Sequence, residues 1–174
     1  MAISIYDVTV GRYLQIIPAV AAFLDKGAAH CAETGTDSAE LVATRLFPDM
    51  LPLAFQIWSV RHHSLGAIQG CKSGVFGPPP PLPELDYAGL QKVVADTRAE
   101  LTALTPDEVN GLGGRDVVFQ IGERKMPFTA EGFLLSFSLP NFFFHSATAY
   151  DILRSKGVKL GKRDFMGALQ MKAA

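Results

Sequence analysis

Apolar residues return at helical spacing in four separate stretches of the chain, and that rhythm sets most of the expected architecture. In the first, IYDVTVGRYLQIIPAVAAFLDKGAAHCAE, positions Tyr6, Val10, Tyr13, Leu14, Ile17, Val20, Ala21 and Leu24 recur along one helix, which Pro18 should bend. The second, FPDMLPLAFQIWSVRHHSLGAIQGC, has Pro48 suited to a first turn and Gly70 near its end. At about 100° per residue, Met50, Ala54, Ile57, Trp58, Leu65 and Ile68 fall on one core-facing arc. His62 falls at the margin of that arc, and His63 falls opposite it with Gln56 and Ser59. The third stretch, DYAGLQKVVADTRAELTAL, is capped by Asp86 and buries Leu90, Val93, Val94, Leu101 and Leu104. The fourth begins after Thr129, carries Pro140 and ends at Gly157, with Arg154 and Lys156 where cations suit the helix dipole.

The connections differ in kind. TGTDSAE breaks the first pattern and offers Asp37 or Ser38 as the cap of a short helix through Arg45. SGVFGPPPPLPEL holds too many prolines for helix or central strand and predicts a stiff extended arm. In RDVVFQIGERKMPFT the period changes to two, with Val117, Phe119 and Ile121 alternating before a Gly122 turn, which predicts a hairpin. The expected fold is therefore all-α: a four-helix bundle spanning residues 1–174 as one domain, with a small β-hairpin between helices three and four.

The fourth helix raises the question of chemistry. Phe142, Phe143 and Phe144 cover about three quarters of its circumference, leaving one side to His145. Ser138, Asn141 and Thr148 share that side, so a polar stripe runs along an aromatic helix that is expected to be buried on its other faces. An unsatisfied buried polar group costs about 1–3 kcal/mol, so the stripe should meet other polar groups, the nearest candidates being Gln56, Ser59 and His63 on helix two. Two readings stay open. In one, the stripe is a satisfied hydrogen-bond network that fixes helix register. In the other, His63 and His145 share a cavity and bind a ligand or metal or move protons, with Tyr150 as a further catalytic candidate and Asn141, Thr148 and Ser59 positioning a substrate.

Charge and composition narrow the partners. Sixteen Lys and Arg against seventeen Asp and Glu give a net charge of -1, which argues against a nucleic-acid footprint or a polybasic membrane patch. Lys159, Lys162 and Arg163 read as a solvated face beside Asp164. The N-terminal segment lacks the features of a secretory signal, and no run of about 18 uninterrupted apolar residues occurs. Cys31 and Cys71, without metal-type spacing, read as reduced thiols of a cytoplasmic protein. The phenylalanine-rich faces exceed what one core needs and point to a homodimer.

Three segments carry a family resemblance: SIYDVTV at 4–10, FPDMLPLAFQ at 47–56 and LPNFFFHSATAYDILRSKGVKLGKRDF at 139–165. Over essentially its whole length the chain resembles a bacterial domain-of-unknown-function family grouped with the DinB/YfiT-like four-helix bundles. The resemblance implies a helical bundle, commonly dimeric, in which many members hold a divalent metal with one histidine on helix two and two, spaced HxxxH, on helix four. Some members are thiol-dependent transferases or hydrolases. Carried across, the helix-two ligand matches His63, or less well His62, and the first helix-four ligand matches His145. The second helix-four position is Ala149, so the triad for zinc, nickel or manganese is incomplete, and His30 lies too far along helix one to replace it. What the resemblance then implies is a metal-independent bundle that binds a small molecule or serves structurally, with a divalent-metal hydrolase or thiol transferase as the alternative. No cofactor is assigned.

Overall fold

The computed structural model describes residues 3–172. Its helices are α1 (Ile5–Val8), α2 (Val10–Thr34), α3 (Ser38–Ala43), α4 (Leu53–Arg61), α5 (Ala67–Ser73), α6 (Tyr87–Thr102), α7 (Pro106–Asn110), α8 (Ala130–Phe133), α9 (Leu139–Ser155) and α10 (Lys162–Met166). Two π-turns interrupt the longer rods: His62–Gly66 joins α4 to α5, and Leu134–Ser138 joins α8 to α9. The result is four rods, namely α1–α2, α4–α5, α6 and α8–α9. They pack in a ring in which α4 lies against α9 and α6, and α2 lies against α6 and α9.

Local chemistry accounts for most rod ends. Ser4 and Asp7 form a capping box ahead of α1, Asp37 accepts from the Ala39 amide at 2.9 Å, and Asp86 accepts from the Gly89 amide at 2.7 Å. Pro18 lies inside α2 without ending it. The second rod starts later than expected: Pro48 sits in an irregular turn, and helix begins at Leu53 after Pro52.

The first rod is long and apolar enough to cross a membrane by length and composition, because scattered polar residues dilute its hydropathy without abolishing it. Half of that window is buried against the other rods, with Val10, Tyr13, Ile17, Val20, Phe23 and Leu24 fully enclosed. That is how a core helix of a bundle packs.

The hairpin is present but is part of a larger element. Strands β2 (Asp116–Ile121) and β3 (Arg124–Thr129) pair antiparallel around Gly122, whose φ of 57° suits the tight turn. A third strand, β1 (Val75–Phe76), pairs parallel to β2 with Phe76 opposite Phe119. Two residues are too few to show a period of two, so β1 has no signature in the sequence.

Within one chain the aromatic faces of the fourth rod are only partly covered. Phe142 is fully buried and stacks edge-on against Tyr13 at 4.8 Å, and Phe143 is half-buried, but Phe144 is 56% exposed. The other rods cover only one flank of α9, so apolar residues around its whole circumference do not all find protein neighbours. Helix two departs in the opposite direction: besides its apolar arc, Gln56, Ser59 and His63 on its other side are buried too, because α9 covers that side.

Candidate functional site

The π-turn at His62–Gly66 puts two consecutive imidazoles at the middle of the second rod, and α9 brings a third to meet them. The rings of His63 and His145 lie 5.6 Å apart between centroids with their planes within 12°. His62 approaches His63 edge-on at 5.0 Å and stacks on Phe76 at 4.3 Å. The Ser138 hydroxyl donates to the His63 carbonyl at 2.8 Å, which ties the second π-turn to the first. Single π-turns within helices frequently accompany functional sites, since the extra residue frees backbone groups and re-aims side chains.

Hydrogen bonding fixes two of the three tautomers. The Gln56 amide donates to the Leu51 carbonyl at 2.8 Å, which turns its oxygen toward His145, so His145 Nδ1–H donates to Gln56 Oε1 at 2.8 Å and Nε2 keeps a lone pair. His62 Nε2–H donates to the Gly77 carbonyl at 2.9 Å, leaving its Nδ1 as the acceptor. His63 has no such anchor: among the described residues its buried Nδ1 finds no partner, and neither does Ser59 Oγ.

All three rings are held neutral. Burial pushes His63 down to about 3, helped by the neighbouring His62 and His145, and burial with His62 pushes His145 down to about 4. His62 is lowered by burial against a smaller opposing effect of its bond to Gly77. The thiols are also poor nucleophiles: burial raises Cys71 to about 12 and raises Cys31 as well.

Of the remaining candidates, the structure brings few to the histidines. Asn141 and Thr148 turn back on their own helix, donating to the Phe137 and Phe144 carbonyls at 2.7 and 2.8 Å. Tyr150 faces the first rod and the C-terminal segment, edge-on to Phe23 and Phe165. Only His145 and Ser138 of the stripe reach helix two. Gln56, one of the helix-two candidates for meeting the polar stripe, is the residue that orients His145. The donor set does not fit the three-histidine metal that the resemblance implies, because Ala149 is fully buried and offers no ligand atom. Among the described residues no three His, Cys, Asp or Glu side chains are placed to hold an ion.

Comparison with known proteins places the chain. The profile of a domain of unknown function, DUF1993, matches residues 5–166. The chain belongs to the DUF1993 family. The fold of this DUF1993 chain is that of the DinB-like proteins. It is similar to a DinB family member from Shewanella denitrificans, with a TM-score of 0.78 and 24% identity over 97% of this chain and 95% of that one. It is also similar to a DinB-like protein from Bacillus subtilis, with a TM-score of 0.53 and 16% identity over 85% and 91% of the two chains. The search of curated proteins finds no match. At these identities the likeness establishes the fold of DUF1993, an all-α DinB-like bundle with a small β element.

Proposed function

We propose that this chain is a metal-independent bundle that binds a small polar molecule at the cluster of His63, His145, Gln56 and Ser59. The observation that carries this reading is His63 Nδ1, buried in a residue only 6% exposed and left without a partner. A buried polar atom without a partner costs about 1–3 kcal/mol, which a ligand hydrogen bond would recover. Ser59, one helical turn before His63, holds a second unpartnered polar atom.

The depressed basicity favours binding over catalysis. A general base works best with a pKa near the operating pH, and rings at about 3 and 4 accept hydrogen bonds at neutral pH but take protons weakly. Buried, unpaired cysteines support a reducing, cytoplasmic setting. Exposed Phe144, Phe47 and Leu51 support a homodimer, which sedimentation at several concentrations would test, a monomer throughout being the contrary result.

The deciding experiment is native mass spectrometry with elemental analysis of tag-free protein purified without chelator. A retained small molecule that is lost from His63→Leu, with substoichiometric metal, is the expected result. Stoichiometric zinc, nickel or manganese that depends on His145 would overturn this reading in favour of a divalent-metal site, the premise of the hydrolase or transferase alternative.

A further inference from the structure

On the outer flank of the second rod lies a cleft of about 440 Å³, within the size range of small-molecule sites. It is lined by Trp58, His62 and Gly66 of the rod and by Phe76, Gly77 and Pro80 of the arm, with His62 and Phe76 stacked on each other on the same side at 4.3 Å. Neither His63 nor His145 lines it, so it is a separate space that meets the histidine cluster only through His62. We propose that this cleft binds a neutral, planar heteroaromatic molecule through an N–H group donated to His62 Nδ1.

The cleft is preformed. The proline arm is tied to the rod at two points, by the Trp58 indole N–H donating to the Pro80 carbonyl at 2.9 Å and by His62 Nε2–H donating to the Gly77 carbonyl at 2.9 Å. The second of these bonds also sets the recognition chemistry. A carbonyl only accepts, so the His62 proton is on Nε2 and Nδ1 carries a lone pair. A methyl placed on Gly66 would stand 3.4 Å from that nitrogen, so Nδ1 faces the space that the missing side chain leaves.

Shape and charge select the class of ligand. Trp58 supplies apolar flat surface, and Phe76, only 5% exposed, backs the His62 ring in a stack within 24° and fixes its plane. Arg61 at the rim is already engaged, 2.9 Å from a Glu100 oxygen and 3.2 Å from Thr97 Oγ1, so it offers no free positive charge to an anion. A flat, uncharged ring with one N–H donor satisfies the surface, the charge and the acceptor together.

Trp58 is the sole tryptophan, so its emission reports on the cleft directly. The full chain is titrated with benzimidazole and with 1-methylbenzimidazole, which has the same ring without the N–H. Benzimidazole should quench saturably, and the methylated probe should bind about tenfold more weakly, the loss expected for one hydrogen bond. His62→Phe keeps a ring on Phe76 but removes the acceptor, and should bind both probes equally at the weaker level. Gly66→Leu should fill the cleft and abolish binding, whereas His145→Ala should bind as the native chain does even if the histidine-cluster reading fails. Linear quenching without saturation, equal affinity of the native chain for the two probes, or native affinity in Gly66→Leu overturns the proposal. Should a variant fail to fold by circular dichroism, the two-probe comparison on the native chain decides alone.

Discussion

The hydroxyl of Ser138 donates to the main-chain carbonyl of His63 at 2.8 Å, and both residues are buried. Each belongs to a π-turn, and a π-turn leaves main-chain groups that regular helix would pair. One side-chain bond thus reaches a buried carbonyl in the second rod and holds the fourth rod in register with it.

Ser138→Ala should therefore destabilise the fold by about 0.5–1.5 kcal/mol, since a buried hydrogen bond between the two rods is lost. Urea denaturation would show a lower midpoint with an unchanged slope. A midpoint equal to the native one would mean that water reaches the carbonyl.

Stability should fall with acid through the histidine cluster. In the unfolded chain a histidine titrates near 6.5, whereas His63 and His145 titrate at about 3 and 4 when folded. Below about 6.5 the unfolded state binds more protons, so stability is complete above that pH and is lost as pH falls toward 3. Each ring contributes at most about 1.4 kcal/mol per pH unit in that window. Denaturation at pH 7.5, 6, 5 and 4, as chosen conditions, should give a slope that flattens in a His63→Gln, His145→Gln double variant; an unchanged slope would assign acid sensitivity elsewhere.

Ala149→His would restore a histidine one turn after His145, on the same face of α9. Zinc affinity, followed by competition with a chromogenic chelator, should rise at least about tenfold because a third ligand joins the site. Ala149 is fully buried, so overpacking should cost about 1–3 kcal/mol. Equal zinc affinity in the native and variant chains would show that Ala149 is not the limiting position.

Gly27 in α2 lies against Tyr87, whose hydroxyl donates to the Leu24 carbonyl at 2.8 Å. A methyl group at Gly27 would overlap that hydroxyl. Gly27→Ala should thus destabilise by roughly 1–3 kcal/mol despite its better helix propensity. A rise in thermal midpoint would indicate that Tyr87 moves aside freely.

Much of the site was legible in part. The wheel placed His145, Gln56, Ser59 and His63 on facing polar sides, and these sides do meet. It also put Asn141 and Thr148 in that pocket, where the structure returns both to carbonyls four residues back. A helical wheel assigns directions but not rotamers, and short polar side chains find local backbone acceptors.

What the sequence determined by itself is whatever neighbours within a few residues decide: the four rods, a cap at Asp37 or Ser38, of which the structure uses Asp37, the cap at Asp86, the hairpin turn at Gly122 and the helix end at Gly157. Those features depend on periodicity, on side chains that cap nearby amides and on the freedom of glycine. Tertiary structure decided the rest. The bond from His145 to Gln56 spans 89 positions, β1 exists only because β2 lies beside it, and Phe144 is exposed because the other rods cover only one flank of α9. Both π-turns belong to the same class, since the extra residue in each is held by packing and by the Ser138–His63 bond across the rods, which no local pattern encodes.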